Sequence, residues 1–109
     1  MFLDISQKDF YEIEDEIYNE GKSAVVIFSS NRNNKSDEII NRLMSFSNTT
    51  TIPIYNINYD ESEGLAGTYS IFESDIPSVL LFADGDIVKR FDNTNTKYIC
   101  DIIDGINDL

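Results

Sequence analysis

The sequence predicts an α/β domain with the order β-α-β-α-β-α-β-β-α and a central mixed sheet flanked by helices. Three observations carry this. Apolar runs free of charge recur at SAVVIFSS (23–30), TIPIYNINY (51–59) and IPSVLLF (76–82), as strands covered on both faces require. Segments with apolar residues at helical spacing lie around and between them. The third run meets another, IVKRF, across ADGD, an Asp-Gly signal for a hairpin.

Each element has its own signal. Phe2, Leu3 and Ile5 form a short first strand. Ser6 followed by Asp9 marks a helix start, Phe10, Ile13 and Ile17 supply the buried stripe, and Gly21 stops it. The second helix is expected from Asn34 to Phe46, with Ile39, Ile40, Leu43 and Met44 on one face. Pro53 sits near the start of its strand, where a missing donor does least harm. Asp60 and Glu63 read as a capping box for a short third helix through Leu65, Ala66 and Tyr69, despite Gly64 and Gly67. Ile99, Ile102, Ile103 and Ile106 define the last helix. No repeat or linker interrupts this pattern, so residues 1–109 read as one domain.

Composition narrows function mainly by exclusion. Twenty acidic residues against eight basic ones give a net charge of −12. Nucleic acid and anionic membrane surfaces would repel such a chain. No apolar run has the length of a membrane span, and MFLDISQKDF lacks the basic-then-apolar order of a signal peptide, so a cytoplasmic location is expected. There is no histidine, and Cys100 is the single cysteine. Ser-His and Cys-His nucleophile pairs and an internal disulfide are therefore impossible within this chain. The residues imply no metal and no cofactor.

The turn between the second strand and the second helix, Asn31-Arg32-Asn33-Asn34-Lys35, allows two readings. Arg32 and Lys35 beside the free N–H groups of a helix start make an anion-binding surface. Alternatively, Asn33 or Asn34 simply caps the helix and the two cations are solvated. Cys100 reads as a small, partly buried hydrophobe beside Ile99 and Ile103. Its alternative, thiol exchange in a redox relay, needs an exposed thiol near positive charge, whereas Asp101 and Asp104 are acidic.

Three stretches together, AVVIFSSNRNNKS, YNINYD and TYSIFESDIPSVLLFADGDIVKRF, resemble the thioredoxin family over nearly the whole chain. The resemblance implies the thioredoxin fold, with Ile76-Pro77 at the family's cis-proline and Lys35 at the lysine after its second cysteine. It also places Asn31 and Asn34 where the family carries its Cys-X-X-Cys pair. A shift of one residue reaches only Ser30 and Asn33. Val25 or Val26 stands at the family's buried acid, and Asp92 at the glycine that opens its substrate groove. Disulfide exchange needs a nucleophilic thiolate and a resolving thiol. Their joint absence points away from a dithiol enzyme and toward a redox-inactive module. By the resemblance, a protein or peptide partner would dock on Asn31, Arg32, Asn33, Asn34, Lys35, Asp75, Ile76, Pro77 and Asp92. In the family, the backbone before the proline pairs with an extended chain.

Overall fold

The computed structural model describes residues 1–109. Its five strands are β1 (Phe2–Ile5), β2 (Ala24–Ser29), β3 (Ile54–Asn58), β4 (Ser78–Ala83) and β5 (Asp86–Phe91). The helices are α1 (Gln7–Asn19), α2 (Asn34–Phe46), α3 (Glu63–Thr68) and α4 (Ile99–Asn107). The strands form one sheet in the order β1-β3-β2-β4-β5. β3 runs parallel to both β1 and β2, and β4 runs antiparallel to β2 and β5.

β2 lies at the centre, and all six of its residues are buried. That explains its uninterrupted apolar run, because each face of the sheet receives alternate residues. Ala24, Val26 and Phe28 join Phe10, Ile17, Leu65, Leu80 and Phe82 beneath α1 and α3. Val25 and Ile27 join Ile39, Leu43, Val79, Leu81, Ile102 and Ile106 beneath α2 and α4. Two hydrophobic layers thus clamp the sheet from both sides.

Local signals hold at several ends. The Ser6 hydroxyl accepts from the Asp9 N–H at 3.1 Å and caps α1. The two-residue β4–β5 turn places Asp84 at φ 54° and Gly85 at φ 80°, the paired positive values of a type I′ hairpin.

Other expectations need correction. β3 begins at Ile54, three residues later than the apolar run suggests. Met44 is exposed, because the buried stripe of α2 is carried by Ser36, Ile39 and Leu43. The capping box expected from Asp60 and Glu63 does not form. Asn58 instead caps a short 3-10 turn, Tyr59–Glu61, and α3 starts after Ser62, whose side chain gives no cap; the Gln7 side-chain oxygen accepts from Leu65 N–H at 2.9 Å. Asp60 is drawn away by Arg32 and Ser30 from a different part of the chain. No helix is long and apolar enough to cross a membrane.

Candidate functional site

Asn33 caps α2: its side-chain oxygen accepts from the Lys35 N–H at 2.9 Å. The preceding turn is tied down by its own backbone and by a buried hydroxyl. Asn33 N–H donates to the Ser30 carbonyl at 3.2 Å, and Ser30 N–H donates to the Ser36 hydroxyl at 3.1 Å. These bonds leave Arg32 projecting outward, where its guanidinium donates to Asp60 at 2.5 Å. The Ser30 hydroxyl donates to the other Asp60 oxygen at 2.7 Å. The Arg32 hydrogen bond, then that of Ser30, holds the Asp60 carboxyl below the usual carboxylate range. The Arg32 charge is thereby answered within the chain, which weakens the anion-site reading at this residue. Lys35 extends to the Asn93 side-chain oxygen at 3.1 Å.

The loop before β4 reaches the same surface. Its Ile76–Pro77 peptide bond is cis. Asn33 connects the two segments, donating from its side-chain nitrogen to the Ile76 carbonyl at 2.9 Å. The rest of the loop is equally occupied. Ile76 N–H donates to the Glu73 carbonyl at 3.2 Å, and the Asp75 carbonyl accepts from Asn93 N–H at 2.7 Å. The Pro77 carbonyl accepts from the N–H and the hydroxyl of Thr94, at 3.0 and 2.9 Å.

Ile76, the residue expected to pair with an extended chain, is occupied within the protein. Both of its polar main-chain groups already have internal partners, and the residue is 2% exposed. Pro77 is buried as well. Neither presents side-chain surface to a partner, because both sit beneath the cover of the turn and of residues 93–94.

Asp92 is bulky and charged, as the sequence suggests, and it is also anchored. It accepts from the Ser78 hydroxyl at 3.0 Å and from Arg90 at 2.8 Å. Arg90 ties this corner together, donating to the Tyr69 and Ser70 carbonyls at 2.6 and 3.0 Å and lying 3.7 Å from Asp75.

The expected residues therefore divide into groups. Asn33, Lys35, Asp75, Ile76 and Pro77 converge, joined through Asn93 and Thr94. Asn34 is exposed on the first turn of α2. Asn31 is exposed and also lines a cleft of about 450 Å³ with Asp4, Asn56, Asn58 and Glu61. The floor of that cleft is a hydrogen-bonded row, Ser29 to Asn56 at 2.7 Å and Asn56 to Asp4 at 2.8 Å. Sequence reasoning missed Ser30, Arg90, Asn93, Thr94 and Phe72 as parts of this face. Phe72 lies in the loop before β4, ahead of the Glu73–Asp75 turn, and it is 63% exposed.

Cys100 is exposed, not partly buried. The buried face of α4 is made by Ile99, Ile102, Gly105 and Ile106, and position 100 lies off that stripe. No group of three or more His, Cys, Asp or Glu side chains converges to hold a metal ion.

No family model matches the chain, and no curated protein sequence matches it. Solved structures do. Thioredoxin O2 from Arabidopsis thaliana, in its oxidised state, superposes with a TM-score of 0.83 at 15% identity, covering 94% of this chain and 91% of that one. Fasciola hepatica thioredoxin gives 0.80 at 19% identity, covering 99% of this chain and 98% of that one. Schistosoma mansoni thioredoxin gives 0.79 at 18% identity, covering 98% and 96%. Strand order, helix placement and these superpositions lead to one conclusion: the chain has the thioredoxin fold.

Proposed function

We propose that this protein is a redox-inactive thioredoxin-like module that binds a protein or peptide partner. The contact face is the one built by the Asn31–Lys35 turn, the loop before β4 and the Asp92 corner. One observation carries this reading. Where the fold would hold a dithiol, the turn holds Asn31, Asn33 and Asn34, and the one cysteine of the chain lies on α4. Asparagine amides form hydrogen bonds but cannot attack or resolve a disulfide. The same turn is nevertheless tied to the rest of the fold by capping and by the Asn33 bridge, which suits a contact surface.

The exposure of Cys100 favours a second reading, in which the lone thiol exchanges with a partner thiol or disulfide. An insulin-reduction assay with dithiothreitol as electron source separates the two. The binding-module reading expects no rate above background for wild type or for Cys100→Ser. A rate that disappears in Cys100→Ser would overturn it. Partner capture from extract of the source cells, with wild type beside Arg32→Ala, tests the binding half. Capture that is indifferent to this face and lost on charge reversal in α1 would move the site elsewhere.

A further inference from the structure

We infer that the partner docks through side chains on a folded surface, with Phe72 as the central knob, and not by pairing an extended strand with the loop before β4. The inference rests on the binding-module reading and specifies its mode.

The first support is an accounting of backbone groups around the loop. Strand addition needs free N–H and C=O groups in an extended segment. Between Asp75 and Pro77 none is left over. Asp75 N–H donates to the Phe72 carbonyl at 2.9 Å, and the Asp75 carbonyl accepts from Asn93 N–H at 2.7 Å. Ile76 is satisfied by Glu73 and Asn33, and the Pro77 carbonyl by Thr94. An incoming strand would have to break these bonds before making its own, so it would gain little.

The second support is what the same loop does expose. Phe72 is 63% exposed, the highest value among the exposed large hydrophobic residues. Its backbone is held, since its N–H donates to the Asp75 carboxylate at 2.9 Å. A large aromatic with only two side-chain torsions loses little entropy on burial, the profile of an interface anchor.

The third support is charge. Glu73 follows Phe72 directly, and Glu73 and Glu63 both contribute to the field at Arg32. Arg32 is matched by Asp60, and Arg90 by Asp92 and Asp75; even with Lys35, which reaches only Asn93, Glu63 and Glu73 leave this face with net negative charge. The complementary partner is a folded protein with an apolar pocket ringed by basic side chains. Such pairing speeds association and weakens as salt rises.

The experiment uses the full chain with p-benzoylphenylalanine as the photocrosslinking probe, placed in one sample at position 72 and in another at position 35. The expected result is a crosslinked protein at position 72. The affinity of that purified protein should then fall roughly tenfold or more for Phe72→Ala, with partial recovery in Phe72→Leu. Binding should weaken with added salt. In the complex, the through-bond NMR coupling between the Asn33 amide and the Ile76 carbonyl should persist. A partner that binds Phe72→Ala as well as wild type, or a coupling lost on binding, overturns the inference. A partner captured at position 35 but not at 72 overturns it while leaving the binding-module reading intact. Capture at neither position counts against both.

Discussion

The side chain of Asn33 faces two ways: its oxygen accepts from Lys35 N–H, and its nitrogen donates to the Ile76 carbonyl, each at 2.9 Å. One amide thus caps a helix and closes a loop 43 residues away. Serine also caps helices but is too short for the second bond. Asn33→Ala should therefore cost about 1–2 kcal/mol of stability. Asn33→Ser should restore about half of that. Urea unfolding of the three proteins checks the ordering.

Asp60 predicts an acid-side dependence. Its pKa in the folded chain is depressed, first by the Arg32 hydrogen bond and then by that of Ser30. A depressed carboxyl contributes stability that is complete above its unfolded value of about 3.9, and that is lost as pH falls through the folded value. Wild type should therefore lose Tm below about pH 4 more steeply than Asp60→Asn. The difference should shrink with added salt, since the pair is at the surface. Melting curves across the acid range at two salt concentrations test this.

Glu14 predicts the opposite sign. Burial raises its pKa, and one of its oxygens is buried without a hydrogen-bond partner. A raised carboxyl pKa means the folded chain holds the proton more tightly. Stability is then lost as pH climbs from the unfolded value, about 4.3, through the folded one. Glu14→Gln should raise Tm at neutral pH, and the gain should vanish below about pH 4.

Gly85 is required by the hairpin twice over. Its φ is +80°, and a Cβ there would come within 2.8 Å of the Tyr18 carbonyl oxygen. Backbone offers little room to yield, so Gly85→Ala should cost about 2–4 kcal/mol. Equilibrium unfolding of the variant measures it.

Cys100 should behave as an accessible thiol of no structural weight. Ellman's reagent should titrate one thiol per chain without denaturant, and Cys100→Ser should leave Tm unchanged. Protection of the thiol in the native state would contradict its exposure.

Much of the fold could be read from the chain because it is written in local patterns. The continuous apolar run at Ala24–Ser29, the Asp84-Gly85 turn and the isoleucines of α4 each encode their surroundings within a few residues. The candidate site was less legible because its bonds are distant in sequence. Arg32 meets Asp60 and Lys35 meets Asn93, and no periodicity announces such pairs. Asp60 shows the difficulty best. Its spacing to Glu63 satisfies a capping rule, yet a guanidinium 28 residues earlier competes for the same carboxylate and wins. Exposure at Cys100 is hidden for a related reason, since neighbouring isoleucines say little about which side of a helix a residue takes.

The central position of β2 also bears on how the chain is made. Its partner on one side, β3, follows it closely in sequence, but β4 on the other side begins only at Ser78. A growing chain that ends after α3 therefore carries a fully apolar strand with one row of N–H and C=O groups unpaired, an open template for other chains. The two-residue turn then delivers β5 directly behind β4. The vulnerable interval in synthesis closes when that hairpin emerges, and fragments lacking it should be the ones that need a chaperone.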